Sequence, residues 1–181
     1  MKFFFFTIFL LISFSINSMN LFEKKIDNAA EFFKEWEYIS DNVMGGVSTG
    51  KAEILESNNS FFLRLRGNVS TENNGGFIQV RTFKEIVSDN FEGIKLKVRG
   101  NPSIYYIHIR TSFLLLPWQY YSGKFSVDRE WKYVNIYFKD FKKSNFYQPA
   151  KFSSEEIKSI GFVAFGKDFE AELDIMEAEL F

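Results

Sequence analysis

The residues best suited to chemistry lie in one glycine-rich stretch, residues 40–51. Within it, residues 46–50 match the Gly-x-Ser-x-Gly pattern of a hydrolase nucleophile, with Ser48 as the attacking hydroxyl and His108 as the single histidine that could act as its base. That nucleophile normally sits between a strand of a parallel sheet and a helix, with an acid and a histidine further on. Here a polar, turn-forming run precedes it. A Ser48-dependent esterase-like enzyme is therefore only a remote alternative.

The same stretch falls one residue short of a phosphate-binding loop. Gly45 and Gly50 have the required separation and Lys51 follows, but Ala52 stands where a Ser or Thr hydroxyl would hold magnesium. No buried strand pattern precedes the loop either. We therefore exclude a nucleotide site of this type.

The sequence excludes thiol chemistry and most kinds of metal site. It has no cysteine and one histidine, which excludes a thiol nucleophile and a multi-histidine metal site. Asp41 and Asn42 with loop carbonyls could hold calcium, but our preferred interpretation is that they form turns by hydrogen bonding to nearby backbone amides. We predict no catalytic residue, no metal and no cofactor.

A second loop of the same composition, residues 70–77, also runs into an alternating apolar segment. Glycine and asparagine favour such specifically shaped loops because glycine allows positive φ and Asn bonds its own backbone. The loops could form a docking edge, or their glycines could serve close backbone packing. The predicted binding residues here are Asp41, Asn42, Gly45, Gly46, Ser48, Asn74, Gly75 and Gly76.

Four further residues are binding candidates by type. Arg81 and Arg110 each end a strand-like segment, where a guanidinium could grip a carboxylate or stack on a ring, with a surface salt bridge as the alternative. Trp118 and Tyr120 could form an exposed platform for sugar rings or a partner protein, with core filling as the alternative.

The elements that must position these residues are short strands. Apolar and polar residues alternate clearly at 61–66, 77–81, 94–98 and 131–138, and with turns between them eight or more strands are predicted. Residues 118–121 look extended, and Ser153 with Glu156 fits a capping box that starts a short helix. Parallel units would need crossover helices, for which there is no room. We expect an all-β antiparallel sandwich or jelly roll with at most one or two short helices.

Composition limits the possible partners. The chain has 181 residues, 19% of them aromatic, and a formal net charge of −1 without long runs of one sign. The high aromatic content excludes a disordered chain. The charge pattern lacks the basic patch that a protein binding duplex nucleic acid would have. Its length suits one domain and a leader.

The first residues predict export. Lys2 precedes an apolar run at 3–16, which fits a secretory signal at 1–18 followed by a single domain at 19–181. The run is too short for a membrane span, so the mature chain has none. An uncleaved N-terminal segment that keeps the protein at the membrane is the alternative to a periplasmic or secreted protein.

The motifs together resemble the complex I intermediate-associated protein 30 family. The resemblance rests on Trp36 with the run at 40–48, on residues 73–77 with Val80-Arg81, and on weaker matches at 98–100, Arg110-Thr111, 131–134 and 160–162. It implies a galactose-binding-like jelly roll, a fold shared with carbohydrate-binding modules, and a non-enzymatic role like that of the family's namesake, which helps assemble respiratory complex I.

The predicted leader departs from that role, because complex I's peripheral arm is built inside the membrane that the leader would cross. We therefore expect a non-catalytic binding domain that acts as an assembly or chaperone-like factor for a membrane or envelope protein complex. An exported carbohydrate-binding module that recognises a glycan is the alternative.

Overall fold

The structure is a computed structural model that describes residues 18–23, 26–88 and 90–181. Residues 1–17 of the predicted leader lie outside the described residues. The strands, in chain order, are β1 (Met19–Asn20), β2 (Trp36–Ser40), β3 (Thr49–Ser57), β4 (Ser60–Val69), β5 (Phe77–Thr82), β6 (Gly93–Gly100), β7 (Ser103–Thr111), β8 (Tyr121–Val127), β9 (Lys132–Tyr137), β10 (Lys142–Lys143), β11 (Ile157–Phe165) and β12 (Phe169–Leu180). One α-helix, α1 (Ala29–Glu35), precedes β2 within this part of the chain.

The strands form two antiparallel sheets, as the alternation predicts. The first sheet has the order β3-β4-β12-β6-β9, with β1 added to the far end of β12; the second has the order β10-β8-β7-β11-β5-β2. All pairs between these strands are antiparallel. The all-β sandwich is thereby confirmed.

The core lies between the sheets. Leu65, Leu96 and Leu173 face it from the first sheet, and Val80 and Ile107 from the second; all five are fully buried. Because successive side chains point to opposite faces of a strand, the residues between them form the outer faces of the sandwich. The candidate site lies on the outer face of the second sheet and on the loops between strands.

The helix closes one end of this core. The side chain of Asn28 caps it by accepting a hydrogen bond from the amide of Glu31 at 3.3 Å. The ring of Phe32 stacks on the indole of Trp36, with centroids 5.5 Å apart, and that indole stacks on Phe162 of β11 at 5.4 Å. This stack anchors β2, the strand that leads into the first glycine-rich loop.

Two local predictions need correction. Residues 118–121 are not an extended segment: the amide of Gln119 donates to the carbonyl of Leu116 at 3.1 Å in a turn, and β8 begins only at Tyr121. The capping box at Ser153 is present, but it opens a single 3₁₀ turn (Ser154–Glu156), because Ile157 already begins β11.

Candidate functional site

The carboxylate of Asp41 joins the two glycine-rich loops. Asp41 follows β2 directly and is 0% exposed. Its Oδ1 accepts a hydrogen bond from the amide of Ser48 at 2.9 Å, and its Oδ2 accepts one from the Ser48 hydroxyl at 2.5 Å. Oδ2 also accepts from the amides of Gly76 at 2.6 Å and Phe77 at 3.2 Å, in the second loop. One buried side chain thus ties the end of β2 to the start of β5.

These donors keep Asp41 ionised. Burial raises the pKa of a carboxyl group, but here the hydrogen bonds from Gly76, Ser48 and Phe77 outweigh burial and lower the pKa of Asp41. Because both oxygens already accept from protein donors, Asp41 is poorly suited to hold calcium. Among the described residues, no group of three or more His, Cys, Asp or Glu side chains could hold a metal ion.

The loop glycines pack against this carboxylate or adopt left-handed backbone. A Cβ at Gly46 would lie 2.3 Å from Asp41 Cγ, and one at Gly75 would lie 2.4 Å from Asp41 Oδ2. Gly45 has φ +90 and Gly76 has φ +123, a conformation that other L residues rarely adopt. Close packing therefore accounts for two of the glycines and backbone conformation for the other two.

Hydrogen bonding and backbone conformation also account for the two asparagines among the predicted binding residues. Asn42 Nδ2 donates to the carbonyls of Gly46 at 2.7 Å and Ser48 at 3.1 Å, and Asn74 occupies a positive-φ position at 58°. Contacts within the chain thus explain the conformation of this loop pair. A binding role for its eight predicted residues stays a prediction.

Ser48 does not have the surroundings of a nucleophile. Its hydroxyl donates to Asp41 and accepts from the amide of Ser70 at 2.9 Å, and it is fully buried. His108 lies on β7, and its ring is stacked on that of Tyr120. The hydrogen bond between Ser48 and His108 that an esterase-like mechanism needs is not formed.

The other predicted residues lie on or beside the outer face of the second sheet. Arg81 on β5 and His108 on β7 are both register neighbours of Gly161 on β11. Arg81 Nε donates to Glu37 Oε1 at 2.7 Å, and its guanidinium lies 4.8 Å from the ring centre of Phe83. Arg81 therefore makes both a salt bridge and a ring contact.

An aromatic cluster covers the middle of this face. The rings of His108 and Tyr120 stack with centroids 4.0 Å apart and an interplanar angle of 18°, and Phe165 meets the His108 ring edge-on at 5.4 Å. Burial lowers the pKa of His108 to about 3, so the imidazole is neutral at physiological pH. Tyr120 is half-buried here, so the predicted open platform of Trp118 and Tyr120 is present only at Trp118.

A set of exposed apolar side chains borders this face. We call it the aromatic rim; its members are Phe113, Leu115, Trp118, Phe146 and Tyr147. Leu115 is 85% exposed, Phe146 86% and Trp118 55%. Of these, only Trp118 was predicted. The overlooked signal was an aromatic pair inside an otherwise polar turn segment, residues 144–149.

Two connections hold the loops of the rim together. The Ser144 hydroxyl accepts from the amide of Tyr120 at 3.0 Å, and Gln148 Nε2 donates to the Tyr120 carbonyl at 3.2 Å. Arg110 Nη2 donates to the carbonyls of Leu114 at 3.2 Å and Leu116 at 3.1 Å. The rim is thus displayed by loops with defined internal hydrogen bonds.

The family profile described as Complex I intermediate-associated protein 30 (CIA30) matches residues 24–175. The chain belongs to the CIA30 family. Membership supports a non-catalytic binding domain. No curated protein matches the sequence of this CIA30 domain.

Solved structures similar to the CIA30 domain include carbohydrate-binding modules. The family 11 carbohydrate-binding module of the cellulosomal cellulase Lic26A-Cel5E of Clostridium thermocellum is 15% identical, with a TM-score of 0.64 over 81% of this chain and 87% of that chain. A family 11 module from Clostridium thermocellum in complex with a β-1,3-1,4-mixed-linked tetrasaccharide is 14% identical, with a TM-score of 0.64 over 81% of this chain and 88% of that chain. A family 30 carbohydrate-binding module is 12% identical, with a TM-score of 0.53 over 75% of this chain and 91% of that chain. At these identities the likeness shows the galactose-binding-like fold alone.

Proposed function

We propose that this CIA30 domain docks a partner protein through the aromatic rim and the adjoining outer face of the second sheet, as an assembly or chaperone-like factor for a membrane or envelope protein complex. The observation that carries the proposal is the rim itself. Large contiguous apolar surfaces are rare on proteins that act alone, and aromatic residues and Arg are enriched where proteins meet.

The loops of the rim favour docking for an energetic reason. Binding costs conformational entropy, and a loop that is already ordered loses less of it. The hydrogen bonds of Ser144, Gln148 and Arg110 provide that order. The aliphatic member Leu115 suits an apolar protein surface better than a sugar ring.

We propose that the signal predicted at residues 1–18 exports the domain to the outer side of the cytoplasmic membrane, as a periplasmic or secreted protein. Within the described part of the chain, none of the helices has the length and hydropathy that a membrane span requires. We propose that the domain acts from this side on a complex of the membrane or envelope.

Site-specific crosslinking tests the docking surface. A photo-crosslinking amino acid at position 146 is expected to capture a discrete partner in cells. The same residue at position 133, an exposed tyrosine on the outer face of the first sheet, is the matched control. Capture that is equal at the two positions, or absent at 146, contradicts the proposal. Trp118→Ala with Phe146→Ser should abolish capture from a third position, 147.

A carbohydrate-binding module is the second candidate. It is favoured by the fold shared with modules such as the one solved with a mixed-linked tetrasaccharide, together with Trp118 beside the stacked rings of His108 and Tyr120. A glycan array separates the two candidates. Glycan binding that is lost in Trp118→Ala, with no protein captured from position 146, would reverse the order of the proposals.

A further inference from the structure

A cleft lies on the outer face of the first sheet, on the side of the sandwich away from the aromatic rim. Its volume is about 840 Å³. The described residues that line it include five cations, which are Lys51, Arg64, Arg66, Arg99 and Arg129. They also include three acids, which are Glu170, Glu172 and Asp174. We call it the arginine cleft.

A buried carboxylate holds two of these arginines side by side. Asp174 on β12 is the register neighbour of Arg64 on β4 and of Arg99 on β6. Its Oδ1 accepts from Arg64 Nε at 2.6 Å, and its Oδ2 accepts from Arg64 Nη2 at 2.8 Å and from Arg99 Nε at 2.9 Å. One carboxylate is thus shared by two guanidinium groups on the same face of the sheet, and both line the same cleft.

Stacking fixes the orientation of Arg99. Its guanidinium carbon lies 4.5 Å from the ring centre of Trp131 and 5.2 Å from that of Phe62. The side chain is 29% exposed, and of its nitrogens only Nε has a hydrogen-bond partner among the described residues. The terminal nitrogens can therefore donate to a ligand without breaking an existing hydrogen bond. A side chain that is already oriented also loses less entropy when it binds.

The remaining cations are also short of carboxylates. Glu53 is shared by Lys51 Nζ at 2.6 Å and Arg66 Nε at 3.1 Å. Arg129 is exposed, and its side chain makes no ion pair or hydrogen bond within the described part of the chain. With Glu53 counted, five cations face four acids, so the cleft is positively charged in a chain whose formal net charge is −1. This charge favours an anionic ligand.

The other lining residues indicate what carries the negative charge. Among the described residues of the lining, no apolar side chain is larger than that of Ala171, whereas a protein segment needs an apolar centre to its interface. Glu170 and Glu172 would repel a chain of phosphates or sulfates, but ionised carboxylates accept hydrogen bonds from hydroxyl groups. A planar carboxylate matches the fork of a guanidinium. The lining therefore suits a ligand that has both carboxylates and hydroxyl groups.

We propose that the arginine cleft binds an acidic oligosaccharide built of uronic acid units. The carboxylates of the sugar accept hydrogen bonds from the terminal nitrogens of Arg99 and from Arg129, and its hydroxyl groups donate to Glu170 and Glu172. This second site goes beyond the proposed function, because it gives the domain a glycan-binding face opposite the face that docks a protein.

The test uses the full chain and three kinds of probe. These are the uronate trimers trigalacturonate and trimannuronate, the methyl esters of both, and the blocked peptide acetyl-Glu-Glu-Glu-amide. Binding is followed by chemical shifts of the ¹⁵N-labelled protein at low salt. We expect at least one uronate trimer to bind about tenfold more tightly than its methyl ester, which keeps the hydroxyl groups but has no charge. The same trimer should bind about tenfold more tightly than the peptide, which has the charge but no hydroxyl groups.

Two matched variants test the position of the site. Arg129→Gln should weaken the uronate trimer about fivefold and leave the midpoint of urea unfolding unchanged, because this side chain has no partner in the described chain to lose. Lys124→Gln, at an exposed cation on the outer face of the second sheet, should leave the affinity unchanged. Trp118→Ala should also leave it unchanged, because the aromatic rim is a separate surface.

Three results overturn the proposal. The first is that neither uronate trimer binds more tightly than its methyl ester. The second is that Arg129→Gln binds like the wild type or like Lys124→Gln, which would indicate attraction by overall charge alone. The third is that the peptide binds as tightly as the uronate, which would assign the cleft to an acidic protein segment.

This experiment is independent of the docking test. Titration with sugars needs no partner protein, and crosslinking from position 146 does not involve the arginine cleft. Failure of one leaves the result of the other standing.

Discussion

Asp41 Oδ2 lies 2.6 Å from the amide nitrogen of Gly76, across 35 residues of sequence. This contact makes the two glycine-rich loops one structural unit, in which the first loop supplies an ionised acceptor and the second supplies backbone donors. The unit also links the sheets, because the Ser48 hydroxyl beside it accepts from Ser70, just past β4 of the first sheet.

Replacing Asp41 with Asn should therefore destabilise the whole fold. An Asn side chain matches the volume but puts an NH₂ group against donors, which leaves buried amides unpaired. We expect Asp41→Asn to lower the free energy of unfolding by about 3 kcal/mol in urea titrations. Asp128→Asn, at an exposed ion pair, should change it by less than about 1 kcal/mol. Equal effects of the two substitutions would show that Asp41 is not the link between the loops.

Two adjacent glycines should respond differently to alanine. At Gly46 the new Cβ would meet Asp41 Cγ at 2.3 Å, whereas at Gly45 nothing lies within 4 Å and only φ +90 opposes the side chain. We expect Gly45→Ala to cost about 1 kcal/mol and Gly46→Ala clearly more, because the buried carboxylate must move. Thermal unfolding of both variants measures the difference, and the reverse order would contradict the packing argument.

Much of the fold could be predicted from local sequence. Ile94, Leu96 and Val98 alternate with basic residues, and all three are fully buried as the alternation indicates. The antiparallel arrangement followed from the lack of crossover helices. What alternation cannot give is the strand order, because pairing partners such as β4 and β12 are distant in sequence.

The site was harder to predict because its contacts are non-local. An aspartate at position 41 predicts hydrogen bonds to amides nearby in sequence. Its hydrogen bonds to the amides of Gly76 and Phe77 depend instead on how the two loops pack together. The sequence predicts an extended segment at Trp118, because the hydrogen bonds of Gln119, which turn the chain there, have no distinct sequence signature. The exposure of Phe146 follows from tertiary contacts of Ser144 and Gln148.

A buried carboxylate on the first sheet should be as important to stability as Asp41. Asp174 is 1% exposed and accepts from Arg64 Nε at 2.6 Å and from Arg99 Nε at 2.9 Å. Its loss removes the buried carboxylate to which two partly buried arginines are hydrogen-bonded, so Asp174→Asn should cost about 3 kcal/mol. Glu177→Gln, at the more exposed pair with Lys97, should cost less than about 1 kcal/mol in the same urea titration. A similar cost for both would mean that the two arginines do not depend on Asp174.

Substitutions in the aromatic rim should leave stability unchanged. Trp118 and Phe146 are exposed, so Trp118→Ala and Phe146→Ser should each alter the free energy of unfolding by less than about 0.5 kcal/mol. Trp36→Ala, which removes the indole stacked between Phe32 and Phe162, should cost about 3–5 kcal/mol. Denaturation by urea compares the three. A large cost at the rim would mean that its side chains support the fold instead of offering a surface.

The buried imidazole of His108 should make stability fall as the medium becomes acidic. Burial lowers the pKa of His108 from 6.5 to about 3, so between these values the unfolded chain binds a proton that the folded chain does not. Stability is then full above pH 6.5 and falls below it by at most about 1.4 kcal/mol per pH unit. Between pH 7 and pH 5 we expect a loss of about 2 kcal/mol. The lowered pKa of Asp41 reduces stability only at more acidic pH, because the stabilising contribution of this carboxylate is fully present above the pKa of the carboxyl group in the unfolded chain.

Urea unfolding of His108→Phe, which keeps a ring against Tyr120, should show little change between pH 7 and pH 5. An unaltered pH dependence in that variant would mean that the folded protein can protonate His108.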